Sequence, residues 1–388
     1  MKTLNQTAYI NLSLIISVMA PMVINIVSPA IPFLMSYFLN STLVNYVIPV
    51  AILGLLAGQI IAGLISINIS KNTVIRAGLY AFILSSLICF LTSNIIIFLI
   101  GRFLQGVCAS IIGVNNRALV REKFDGNTYG VVIGYVMLCW NIFVMVMPLI
   151  GGGIQILFGW KSIFLFNILL AIIILYANKL IVSPSSFRYQ LRRKNKPFFV
   201  FFLNARFISN TLALGLITAS GVIFVQFAPL FMHNNYRTNP FNIGFLTSFV
   251  GLSYIISNII GTYALRSNRL SLGKHISSLC VCTGIIILVF FLNQGSISSF
   301  IIPTILIQLG FGIRSPIIAI TTLKKYKFYA SAATAAQGLM LWLASAVVST
   351  TFGYTNNSNL KVYIFFVGTI FFIITLIEIF QKHILTAK

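Results

Sequence analysis

"GRFLQGVCASIIGVNNRALVREKFDG", residues 101–126, sets a permanently charged Arg102 inside an apolar run and closes on Glu122 and Asp125, two of only three acidic residues in the chain. An apolar run of about 20 residues is what a helix needs to cross the hydrocarbon of a bilayer. The rest of the chain repeats the pattern: 59% of its 388 residues are hydrophobic, only 7% are charged, and the mean hydropathy is +1.00. Twelve such segments can be placed, the first at about 8–37, the fourth at about 95–118 and the last at about 361–380. They are too long and too evenly apolar for barrel strands of about 9–11 alternating residues. The expected fold is an all-α membrane protein with twelve transmembrane helices.

A net charge of +23 invites a nucleic-acid reading, but the distribution of the charges argues otherwise. With the N-terminus inside, the outer loops take Lys161, Arg237 and Lys361, and Arg102 and Arg314 fall within spans. The remaining 21 of the 26 Lys and Arg residues lie in inner loops. This is the positive-inside bias that orients membrane proteins, and basic loops favour anionic lipid headgroups on that side. Both termini are therefore expected in the cytoplasm, with membrane lipids as partners and no nucleic acid. The first segment resembles a secretory signal only superficially, because Tyr9 to Phe38 exceeds a signal core.

One polar stretch, "SPSSFRYQLRRKNKP" at 183–197, divides the chain into six spans and six spans. The expected domains are a six-helix bundle at 1–182, a basic cytoplasmic linker at 183–204 and a second six-helix bundle at 205–388. At an offset of about 198 residues, "IIAGLISINISKN" lies over "IIGTYALRSNRL", with Gly63 over Gly261. Repeated halves of this kind are typical of transporter folds. Pro148, Gly151, Gly152 and Gly153 in "MPLIGGG" combine a missing backbone donor with room for a neighbouring helix. The five cysteines all fall within spans and lack metal-ligand spacing, which makes them packing residues; neither metal nor cofactor is expected. A membrane-embedded enzyme would need a cluster of intramembrane His, Asp, Glu or Cys, so an enzyme is not expected.

"NIVSPAIPFL", "GRFLQGVCAS", "RALVREKFDG" and "PLIGGGIQILFGWKSIFLFN" in the first half resemble the major facilitator superfamily. So do "APLFMHNNYRTNPFNIGFLTSFVGLSYIISNIIG" and "SAATAAQG" in the second half. Within that superfamily they look like the drug:proton antiporters of the bicyclomycin and chloramphenicol resistance branch. The resemblance implies two pseudo-symmetric six-helix bundles around a central cavity, working by alternating access in the bacterial inner membrane. It implies an exporter, with a small-molecule substrate and a proton as coupling ion, and that Arg102 couples protonation to conformation. Carried over, Pro148, Gly151 and Gly152 match the fifth-helix motif of antiporters, with Met147 where a glycine is expected. Gly63 and Lys71 remain of the loop motif between spans two and three. Ile67 stands where that motif has an aspartate, Ser70 where it has a second glycine, and Asn25 where the first span is often acidic. An asparagine does not titrate.

Arg102 lies about 10 Å into the fourth span, at 1.5 Å per residue, where a charge either faces the bundle interior or snorkels outward. With no carboxylate near the midplane, it must be satisfied by amides, carbonyls, water or a bound anion. The candidates for coupling and substrate contact are Arg102, Gln105, Asn25, Asn141, Gln226 and Gln337, with Trp140, Gln308 and Trp342 at similar depth. Arg314 is expected to snorkel or to pair structurally near an inner end. Conformational roles are expected for Gly63, Lys71, Gly106, Pro148, Gly151 and Gly152. Arg117, Arg121, Glu122 and Asp125 form either a cytoplasmic latch or a solvated ion cluster worth at most about 1 kcal/mol per pair. The function expected is export, by a monomer, of neutral or anionic amphiphiles. The alternatives are a metabolite or siderophore exporter or facilitator without proton coupling, or a transport-dead sensor paralogue.

Overall fold

The computed structural model describes residues 2–39, 41–65, 69–124, 126–181, 201, 203–267, 269–291, 296–323, 326, 330–355 and 359–386. The linker expected at 183–204 lies outside these residues except for 201, 203 and 204. Among the described residues, twelve helical spans are long and apolar enough to cross a membrane, starting with Gln6–Tyr37 and ending with Leu360–Gln381. The elements are α1 (Lys2–Ile16), α2 (Met19–Asn25), α3 (Ile31–Tyr37), α4 (Val47–Ile65), α5 (Lys71–Leu91), α6 (Ile95–Lys123), α7 (Gly126–Phe158) and α8 (Lys161–Ile181). They continue with α9 (Ala205–Tyr236), α10 (Pro240–Arg266), α11 (Leu270–Phe290), α12 (Ser298–Leu323), α13 (Ala330–Tyr354) and α14 (Leu360–Thr386).

The first span is not one helix. It breaks after Ile16 and again after Asn25, where a 3-10 turn at Ser28–Ala30 precedes α3. Proline chemistry accounts for both positions. Pro21 and Pro29 have no N–H for the carbonyls four residues back, Ser17 and Asn25, so the hydrogen-bond ladder fails there. Elsewhere polar side chains set the helix starts. Ser70 accepts from the Thr73 N–H at 3.1 Å to open α5, and Asn94 accepts from the Ile96 and Ile97 N–H groups at 2.8 and 3.3 Å to open α6. Ser70 thus serves as a cap where a glycine was expected, and Ile67 lies outside the described residues.

The chain forms two compact units, one of residues 1–191 with 239–245, the other of 192–238 with 246–388. The short segment 239–245 joins the first unit because its backbone packs on α7. A Cβ at Gly152 would land on the Pro240 carbonyl, and one at Gly244 on the Pro148 carbonyl. In the same unit α4 and α6 meet backbone to backbone: a Cβ at Gly54 would strike the Phe103 carbonyl, and one at Gly106 the Ala51 carbonyl. Close approach through small residues is the usual way helices associate in lipid, where hydrophobic burial gives no drive. In the second unit, Ser277 Oγ donates to the Gly310 carbonyl at 2.7 Å between α11 and α12, and Phe227 stacks on Tyr363 with ring centroids 4.7 Å apart.

Candidate coupling site

The site grows from the spacing in "RFLQG". Arg102 and Gln105, three residues apart on α6, share a face, and the guanidinium Nη1 donates to Gln105 Oε1 at 2.6 Å. Gln105 Nε2 in turn donates to Ser86 Oγ on α5 at 2.7 Å, which fixes the amide with its oxygen toward the arginine. The second amino group, Nη2, donates to the Val23 carbonyl on α2. That carbonyl lies in the last turn of a helix that stops two residues later, where carbonyls lack in-helix donors. The break in the first span therefore creates the acceptor that the arginine occupies.

Arg102 and Gln105 are both 0% exposed, so Arg102 does not snorkel. Its Nε has no hydrogen-bond partner among the described residues. Around it, a Cβ at Gly101 would fall 2.6 Å from Cys89 Sγ, so the glycine keeps α5 and α6 in register beside the charge. On the far side of the first-span break, a Cβ at Gly151 would land on the Ile26 carbonyl. Gly151 lets α7 seat against the backbone three residues beyond the one that Arg102 holds.

The other expected residues divide by unit. Asn25 is buried, and its Nδ2 donates to the Pro21 carbonyl at 2.9 Å rather than joining the hydrogen bonds of Arg102. Asn141 is half-buried on α7 and makes none of the arginine's hydrogen bonds. In the second unit Gln226 accepts from Ser349 Oγ at 3.0 Å, while Gln337 and Gln308 are buried with unpartnered Nε2 atoms; Trp342 is half-buried. Gly63 is exposed, and a Cβ there meets nothing within 4 Å, whereas Gly261 would strike the Ile313 carbonyl. The two glycines that align in sequence thus occupy different surroundings. Gly54 and Gly58, facing the Phe103 and Val107 carbonyls of α6, have the setting that Gly261 has in the second half.

At the end of α6, Glu122 pairs with Lys71, the first residue of α5, at 3.0 Å. Arg121 is exposed, Arg117 pairs with no carboxylate among the described residues, and Asp125 lies outside them. A second ionic cluster realises the structural pairing that was one of the two expectations for Arg314. Arg314, 2% exposed on α12, lies 3.3 Å from Glu378 Oε2 on α14 and donates to Ser278 Oγ on α11 at 2.8 Å. Its guanidinium also sits over the Phe371 ring at 5.9 Å, and Lys274 reaches the other Glu378 oxygen at 3.3 Å. The available signal was one carboxylate on the last span and two cations on neighbouring spans at the same end.

Two units of membrane-spanning helices, each with small-residue seams and a buried arginine, define a polytopic helical membrane protein. Residues 13–350 match the Major Facilitator Superfamily, and the chain belongs to that family. It is similar to the uncharacterized MFS-type transporter YdgK of Bacillus subtilis, 23% identical over 87% of this chain and 86% of YdgK. It is also similar to the multidrug resistance protein MdtL of Citrobacter koseri, 26% identical over 46% of each chain. Among solved structures, a D-xylose-proton symporter shares the fold, with a TM-score of 0.76 over 97% of both chains at 13% identity.

Proposed function

We propose that the protein is a secondary transporter of the bacterial inner membrane, both termini cytoplasmic, which exports small neutral or anionic amphiphiles by alternating access of its two units. The observation that carries this reading is the charge balance around Arg102. A guanidinium stays protonated throughout the physiological range, and this one is held by a carbonyl and an amide, with no carboxylate paired to it among the described residues. A lipophilic cation meets no counter-charge there, whereas an anion or a neutral polar group does. The similarity to MdtL supports export over uptake.

A second reading, an exporter or facilitator of metabolites without proton coupling, is favoured by Asn25, whose amide is tied to its own helix and does not titrate. Flux in proteoliposomes, with and without an imposed pH gradient, separates the two. Export is expected for organic acids and neutral amphiphiles and not for ethidium-like cations. Acceleration by the gradient supports antiport, and indifference supports the facilitator. Robust, specific cation export would overturn the substrate class.

A further inference from the structure

Asn167, on α8, is 0% exposed, and neither its Nδ2 nor its Oδ1 has a hydrogen-bond partner among the described residues. Burying an amide in that condition is costly, and its buried neighbours along the helix, Ile163, Phe164, Ala171 and Ile174, are apolar. Its level in the membrane follows from α5, which packs on both α6 and α8. On the α6 side, Gln105 donates to Ser86, and a Cβ at Gly101 would fall 2.6 Å from Cys89 Sγ, so Arg102 lies beside residues 86–89 of α5. On the α8 side, Arg76 Nε donates to Asn178 Oδ1 at 2.8 Å, and the Lys179 ammonium lies 5.6 Å from the Tyr80 ring centroid. The two helices run antiparallel, so eleven residues back from Asn178 is level with eleven residues on from Arg76, at residue 87. Asn167 and Arg102 thus share one level.

Ring contacts show that the two residues face each other. Phe98 meets Phe164 edge to face with centroids 5.4 Å apart, and meets Trp160 at 5.8 Å. Arg102 follows Phe98 by four residues and Asn167 follows Phe164 by three, one turn further along each helix and on the same faces. The other polar groups of α5 at this level are engaged: Ser86 with Gln105, Ser85 with the Phe82 carbonyl, and the Cys89 thiol with the Phe98 carbonyl at 3.7 Å. The guanidinium gives one N–H to Gln105 and one to Val23, which leaves over the Nε edge. A donor and an amide that both lack partners therefore lie at one depth on facing helices. The structure gives them no direct hydrogen bond, and water is what serves otherwise unsatisfied buried polar groups. We infer that Asn167 is a positioning residue of the Arg102 site, holding the Nε edge of the guanidinium from α8 through one buried water that accepts from Nε–H and donates to Oδ1. The arginine then ties together the first, fourth and sixth spans.

The test reads the arginine itself. In full-length protein in phosphatidylcholine nanodiscs, labelled with nitrogen-15 at arginine, the Arg102 Nε–H resonance is the one that Arg102→Lys removes. It is expected to show a cross-peak to water. Asn167→Leu, similar in size but without polar atoms, should abolish that cross-peak and shift the resonance, whereas Asn178→Leu, which disturbs Arg76 instead, should leave it in place. Melting temperatures give a second, independent reading. A bystander amide replaced by leucine relieves a stranded group and raises the melting temperature; an amide that serves Arg102 lowers it when replaced, and raises it in an Arg102→Met background. Asn167→Asp guards against a leucine variant that fails to fold: its carboxylate should be tolerated beside Arg102 and strongly destabilising in the Arg102→Met background. An unmoved Nε–H resonance in Asn167→Leu, melting shifts that simply add, or an aspartate equally costly in both backgrounds overturns the inference. No transport is read, so the outcome is independent of the direction and substrate proposed for the protein.

Discussion

Arg102 is expensive to bury and is held by two different kinds of acceptor. Removing the side chain strands the Val23 carbonyl and the Gln105 amide, each a buried polar group whose loss of a partner costs about 1–3 kcal/mol. Arg102→Ala is therefore expected to lower thermal stability in detergent and to abolish flux. Arg102→Lys keeps the charge but lacks the fork that reaches two acceptors at once, and should recover stability more than flux. In a double-mutant cycle, Arg102→Ala and Gln105→Ala should be strongly non-additive; additive losses would show that the two side chains act separately. The Arg102–Gln105 pair was legible from spacing alone, since three residues along a helix bring side chains together. The Val23 carbonyl was not, because it becomes an acceptor only where the first span breaks and only where α2 packs on α6. Structural pairing was one of the two readings of Arg314, but its partner Glu378 was hidden, because the two lie on helices far apart in the chain.

Among the elements, the first span and α7 form the most informative contact. Twelve apolar segments of the right length made the helices readable, and yet a single first helix was expected where the structure has three helical pieces and a 3-10 turn. Pro21, Pro29 and Pro32 were in plain view. Whether a proline kinks a helix or ends it depends on what satisfies the freed carbonyls, and that is a tertiary matter. Pro148 shows the contrast, since α7 runs through it unbroken. The "GGG" run can be tested residue by residue. Gly151→Ala forces a Cβ into the Ile26 backbone, which cannot yield as a flexible side chain does, and should cost several kcal/mol. Gly153→Ala meets nothing within 4 Å and should be neutral or slightly stabilising through its higher helix propensity. Equal melting temperatures for the two variants would show that α7 does not seat on the first-span break.

At the scale of the whole molecule, the family gives a transporter, and the helices form two compact units, split by chain order apart from the first residues of α10. That exception was unreadable from the sequence because it depends on backbone contacts between Gly152, Pro240, Gly244 and Pro148. The proposed orientation predicts that a green fluorescent protein fused at the C-terminus fluoresces and that alkaline phosphatase fused there is inactive. The reverse pattern would invert every loop and place the Lys71–Glu122 pair on the outer face.

Among the described residues no carboxylate pairs with Arg102, and this has an electrical consequence. One elementary charge crossing the full membrane potential corresponds to about 2.3 kcal/mol per 100 mV. A guanidinium with no counter-ion travelling alongside carries its whole charge wherever α6 tilts. Under the proposed alternating access, reorientation of the first unit would then move charge through the membrane field even when the cargo is neutral.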